Sequence, residues 1–353
     1  MNASAASPHS TTKFSQYPAG IGSLLMATLL GCHVVGTSLP VMAEPRISWS
    51  HLSSVTGDLP APLSFDQTGC VVGDIDNDGD VDFFIADRTV QPSLILYRRN
   101  AEGWEHYAIE NEQLRLEAGG DVADIDGDGD LDLAFGLDAT GGDIWWWENP
   151  HPELDPEITW TRHLIKSDEG RQQHDQRFGD FDGDGRIEFA TWVNRDQEVR
   201  IYEIPADPTD SPWLLDTTGT GVLEGMDVAD MDLDGRVDIL AGGHWIGYQP
   251  GTGYTKHAID PAYASSRIIG RQFVPGGFPE VVLSSGDNGT GALSYYQHDG
   301  VTWQKTDLLP LIINGHSLEA ADFDADGHLD IFAAEMGSPG AGGDCRAWIA
   351  WGD

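Results

Sequence analysis

Residues 74–82 read DIDNDGDVD and residues 124–132 read DIDGDGDLD. The string returns as DFDGDGRIE at 180–188, DMDLDGRVD at 230–238 and DFDADGHLD at 322–330. Each copy is D-x-D-x-D-G-x followed by an aliphatic residue and an acid. Their first residues lie 50, 56, 50 and 92 positions apart. The last gap is nearly two periods, and it holds a worn copy, RQFVPGGFPEVVLSSG from Arg271. There Gln272, Val274 and Gly276 stand at the aspartate positions, and Glu280 keeps the final acid. Self-similarity at a fixed period of this length marks a repeat architecture.

The same plan of strands surrounds every copy. A small-residue apolar strand leads in (CVVG, GDVA, RFG, MDVA, LEAA), and an aliphatic strand leads out (VDFFIA, LDLAFG, IEFATWV, VDILAG, PEVVLS, LDIFAA). An aromatic third strand follows (LILYRR, IWWWEN, VRIYEI, ALSYYQ, AWIAWG), and a fourth often carries histidine (WEHYAI, WTRHLI, YTKHAI). Four strands in roughly 50 residues make a propeller blade. The chain is therefore expected to be all-β, a single propeller of six four-stranded blades over residues 44–353. A seventh blade has room only in Thr56–Thr68. The chain ends on a third strand, so the N-terminal segment ISWSHLSSV, with Trp49 and His51, is expected to complete the last blade and close the ring.

The repeated loop between two apolar strands resembles the FG-GAP/VCBS repeat family, which includes the integrin α-chain propeller. The resemblance covers about residues 46–353, and Phe178-Gly179 before the third loop matches its "FG" element. No GAP tripeptide follows, which points to the bacterial VCBS-type branch.

The loops have the chemistry of calcium sites. Calcium takes six to eight oxygens in flexible geometry. Carboxylates spaced by two point inward from a tight turn, which the glycine permits. The expected ligands are Asp74, Asp76, Asp78 and Asp82; Asp124, Asp126, Asp128 and Asp132; Asp180, Asp182, Asp184 and Glu188; Asp230, Asp232, Asp234 and Asp238; and Asp322, Asp324, Asp326 and Asp330. About five Ca²⁺ would bind, in a structural role, since uncompensated carboxylates at short range repel.

Composition excludes several functions. Nineteen basic residues stand against 58 acidic ones, a net charge of −39. Nucleic-acid binding needs a basic face, so no nucleic-acid partner is expected. Residues 1–43 carry one charge, Lys13, and an apolar run, IGSLLMATLLGCHVV. With Val41-Met42-Ala43 they resemble a secretory signal, so export is expected and no transmembrane span in the mature chain. A lipoprotein anchored through Cys32 is the alternative. Cys70 and Cys345 are left as a disulfide or two free thiols.

Aligning the innermost strands on the loop collects the candidate active groups. Three positions upstream stand Val71, Asp121, Arg177, Asp227, Ile269 and Glu319, facing the channel with Arg271. Six positions upstream stand Thr68, Ala118, His174, Glu224, Ser266 and His316. The histidines and Glu224 suit acid–base chemistry or a transition metal, and Arg177 or Arg267 would hold an oxyanion. Paired internal charges are the plainer account. Trp145–Trp147 and Tyr295–Tyr296 suit sugar stacking or, more simply, packing between blades. There is no nucleophile elbow, P-loop or dinucleotide fingerprint. A non-catalytic module binding a polysaccharide or extracellular protein is the leading expectation. The alternative is a lyase- or dehydratase-like enzyme acting on sugars at the channel mouth.

Overall fold

The computed structural model describes residues 51–352, apart from 156, 158, 168–171, 223, 264–265, 287–288 and 338–344. The expected signal segment 1–43, with Cys32, and Trp49 lie outside the described residues. The described residues form 23 strands and no helix. Accordingly, no helix among them is long and apolar enough to cross a membrane.

The strands build six antiparallel sheets, each in sequence order, as six blades of a β-propeller: 67–110, 121–166, 173–220, 226–258, 266–313 and 317–350. Six blades leave no place for a seventh. Thr56–Asp66 is turn and coil, tied by the Ser53 carbonyl accepting the amides of Gly57, Asp58 and Leu59. Five sheets have four strands, and the last has three among the described residues. Of the proposed closing strand, the portion before His51 lies outside those residues, and His51–Val55 is coil and turn.

The second strands of the first five blades are buried on nearly every residue because the neighbouring sheets cover both of their faces. Phe84 and Leu96 of the first blade pack with Leu133, Phe135 and Trp147 of the second. Ala134 and Trp146 pack with Phe189 and Tyr202 of the third. Similar clusters join the third blade to the fourth, the fourth to the fifth and the fifth to the sixth. Trp146 and Trp147 are wholly buried, as is Tyr296 almost entirely. Their polar atoms are also engaged: Trp147 Nε1 donates to Glu110 Oε2 at 3.3 Å, and the Tyr296 hydroxyl donates to Asp260 at 2.6 Å. These three serve packing, not stacking on a ligand.

The innermost strands are Gln67–Gly73, Asp121–Ala123, Gln173–Gly179, Met226–Ala229, Ser266–Arg271 and Ser317–Ala321. Acids on two of them stitch one blade to the next. Asp121 accepts the Phe178 amide at 2.9 Å, and Asp227 accepts the Gly270 amide at 3.0 Å. Residues on or beside the innermost strands of all six blades line one central cavity of ≈480 Å³, Cys70 from the first and Leu318 from the sixth among them.

Candidate functional site

Five acidic loops, one in each blade except the fifth, join the first strand to the second. Asp74, Asp76 and Asp78 bring ligand oxygens within 4.8 Å of one another, as do Asp124, Asp126 and Asp128, and Asp230, Asp232 and Asp234. Asp180, Asp182, Asp184 and Glu188 form a group of four, and Asp322, Asp324 and Asp330 a group of three. The loop backbone produces this convergence. The amides of Asp78 and Gly79 both donate to Asp74, at 3.0 Å each, which curls the chain around that carboxylate. Gly79 has φ +92°, a conformation that side chains resist. Some of the remaining oxygens meet arginines, as Asp76 does with Arg98 at 2.6 Å and Asp184 with Arg186 at 2.7 Å. Glu188 Oε1 and Asp324 Oδ1 are buried with no hydrogen-bond partner. An all-oxygen, all-anionic donor set with orphaned oxygens fits a hard cation such as calcium.

The final acid of the motif has a further task. Asp82 is wholly buried; its Oδ2 accepts the Ile75 amide at 3.1 Å and its Oδ1 the Arg99 amide at 2.8 Å. Asp132 does the same with Ile125 at 3.0 Å and Asn149 at 2.8 Å. Glu188, Asp238 and Asp330 accept the amides of Phe181, Met231 and Phe323. Glu280 in the worn repeat accepts the amides of Phe273 and Val274 at 2.9 and 3.2 Å. This acid thus caps the loop entry in all six blades. That explains why it survives where the other three acids are gone. Asp82, Asp132, Asp238 and Asp326 stand outside the convergent oxygen groups. Burial, reinforced by neighbouring loop carboxylates, pushes Asp132, Glu188 and Asp238 each up to about 7.

At one end of the cavity, residues from the third, fourth, fifth and sixth blades meet. Arg267 Nη1 donates to Asp175 Oδ1 at 2.8 Å. Its Nη2 lies 3.4 Å from Glu224 Oε1 and donates to His316 Nε2 at 2.8 Å. Glu224 Oε1 lies 3.5 Å from His316 Nε2 and 3.8 Å from His174 Nε2. Thus His174, Glu224, Arg267 and His316 form one cluster. His174, Asp175 and Glu224 are buried, whereas His316 and Arg267 line the cavity and are partly exposed. A guanidinium only donates, so its bond fixes His316 Nε2 as an acceptor. His174, Glu224 and His316 are not among the groups close enough to share an ion, and Arg267 occupies the space between them. The cluster does not fit a transition metal.

Asp175 organises the cluster. It is the extra residue of a β-bulge: Gln176 pairs with Thr191 and His174 with Trp192, leaving Asp175 unpaired at φ +48°. A bulge re-aims side chains, here turning Asp175 to the same side as His174. Gly119 makes room, since a Cβ there would sit 2.6 Å from the Asp175 amide nitrogen. Asp175 Oδ2 also accepts the Gly225 amide at 3.1 Å. Burial alone would raise the Asp175 carboxyl, but His174 and Arg267 overcome this and hold it well below the ordinary range. Burial opposes protonation of His174, and the adjacent Asp175 wins, raising it.

Deeper in the cavity, Arg177, Asp227, Arg271 and Glu319 line the wall. Arg271 Nη1 bonds Asp227 at 2.5 Å. Asp121 and Val71 turn away into the blade interfaces. Cys70 lines the cavity, and Cys70 and Cys345 are both free thiols.

The FG-GAP-like repeat family matches residues 180–241 and 277–333, and the second match begins inside the worn loop. Those two stretches of the propeller are FG-GAP-like repeats. Among solved structures, the chain is similar to a Bacillus licheniformis rhamnogalacturonan lyase, at 13% identity and a TM-score of 0.45, over 76% of this chain and 55% of the lyase. The chain therefore spans about half the length of that enzyme. It is also similar to an Aleuria aurantia lectin, at 9% identity and 0.46, over 80% of this chain and 91% of the lectin. A Penicillium chrysogenum α-L-arabinanase gives 13% and 0.47, over 80% and 93%. These likenesses concern the fold. No curated protein sequence matches the chain.

Proposed function

We propose that this FG-GAP-repeat propeller is an exported, calcium-stabilised binding module whose central cavity takes one end or unit of a polysaccharide. The observation that carries this is the meeting of His316, Arg267, Arg177 and Glu319 around one ≈480 Å³ cavity. That volume lies within the roughly 300–1,000 Å³ of small-ligand sites, and convergent polar groups fix orientation there. Calcium would be held by the loop carboxylates named above. It would neutralise their mutual repulsion and lock the first two strands of five blades together.

The groups at the mouth favour binding over turnover. Arg267 is committed to Asp175, Glu224 and His316 at once, and His174 and Glu224 are buried behind it. A catalytic reading rests on His316 alone, an acceptor facing the cavity beside a guanidinium. Titration calorimetry against a panel of oligosaccharides tests the proposal, with ultraviolet absorbance followed for a new C=C bond. Saturable binding without product is expected. Product formation lost in His316→Ala would establish the enzyme instead.

A further inference from the structure

The cavity also carries information about the charge of its ligand, on the reading that it binds a saccharide. Its lining holds Arg177, Arg267 and Arg271 against Asp175, Asp227 and Glu319, which sum to no net charge. Glu224 and Asp121 stand immediately behind it with His174, so the surroundings are negative. The whole chain is at −39. Four of the six lining charges are spent on each other: Arg267 on Asp175, and Arg271 on Asp227.

Arg177 and Glu319 remain. Arg177 donates from Nη1 to the Gln176 carbonyl at 2.7 Å and has no carboxylate within 4 Å among the described residues. Glu319 has neither an ion pair nor a hydrogen bond there. Burial pushes its carboxyl up, and Arg177 pulls the other way. One strong donor and one strong acceptor thus face the same small cavity with unused capacity. We infer that the ligand is an uncharged, polyhydroxylated sugar unit, with Glu319 accepting from its hydroxyls and Arg177 donating to its oxygens, and that uronic acids are excluded. A hydroxyl both donates and accepts, so it satisfies both side chains. A uronate would pair with Arg177 but would meet Glu319 and a negative field in a space where charges are poorly screened.

The test is titration of the calcium-loaded chain with neutral trisaccharides (cellotriose, mannotriose, galactotriose) and with trigalacturonate. At least one neutral probe should bind ten-fold or more tightly than trigalacturonate, and the gap should widen at low salt. Glu319→Gln should weaken the neutral probe about ten-fold and narrow the gap, and Arg177→Gln should weaken the neutral probe similarly, with melting temperatures recorded as a check of folding. The salt dependence in the unaltered protein stands even where a variant fails to fold. Equal or tighter binding of trigalacturonate overturns the inference and leaves saccharide binding intact. Binding unaffected by both substitutions places the ligand elsewhere and also overturns it. No binding of any probe overturns both.

Discussion

Single acids in this chain divide into two kinds that look alike in the motif. Asp76 and its neighbours present oxygens to one another, whereas Asp82, Asp132 and Glu280 present theirs to backbone amides. Replacing Glu280 with Ala leaves two amides without their acceptor and should cost about 1–3 kcal/mol. Denaturant unfolding should show the same loss with and without calcium. Asp126→Asn should instead destabilise only in calcium. The first three acids were legible from the sequence because spacing by two plus glycine specifies a turn. The cap was not, because its partners, Arg99 in a third strand and Asn149 just after one, lie 17 positions away. Asp175 was missed for a different reason. Strand alternation sends neighbours to opposite faces, so His174 argued against Asp175, and only a left-handed bulge brings both to the cluster. Arg267→Leu should be severe, about 3–5 kcal/mol, because Asp175 and Glu224 would stay buried without the guanidinium that they share.

At the scale of the loop, the acids that pH titrates adjoin the carboxylates proposed to hold calcium. In calcium-depleted protein, Asp132, Glu188 and Asp238 hold protons up to about pH 7, whereas in the unfolded chain they release them near pH 4. Folding therefore favours the protonated form. The contribution is fully present below about pH 4 and is lost as pH rises toward 7. Melting temperature should fall across that interval without calcium and should not fall when calcium is bound. The blade itself was legible strand by strand, since the alternation of small, aliphatic and aromatic segments repeats with each loop. Closure was less so. The last sheet shows three strands among the described residues, ending on Ala347–Ala350. An unpaired edge there invites association. On the proposal that ISWSHLSSV completes this sheet, a chain beginning at Thr56 should melt lower and self-associate in light scattering.

Across the whole molecule, one hydrophobic cluster joins each consecutive pair of blades from the first to the sixth. Trp146 is wholly buried between the second and third blades beside Phe189, Tyr202 and Trp213. Trp146→Ala should cost about 3–5 kcal/mol and lower the cooperativity of unfolding. The number of blades followed from the repeat period, because each period supplies one sheet that cannot bury its faces alone. The ligand did not follow, because the cavity is assembled from six distant segments whose meeting no local pattern records. What joins these scales is the claim that divalent cations at the acidic loops hold the propeller together. The direct measurement is thermal unfolding of the purified chain with calcium and with excess chelator, alongside elemental analysis. The account predicts about five bound calcium ions and a much lower melting temperature in chelator. Identical unfolding curves, with no bound calcium, would contradict it.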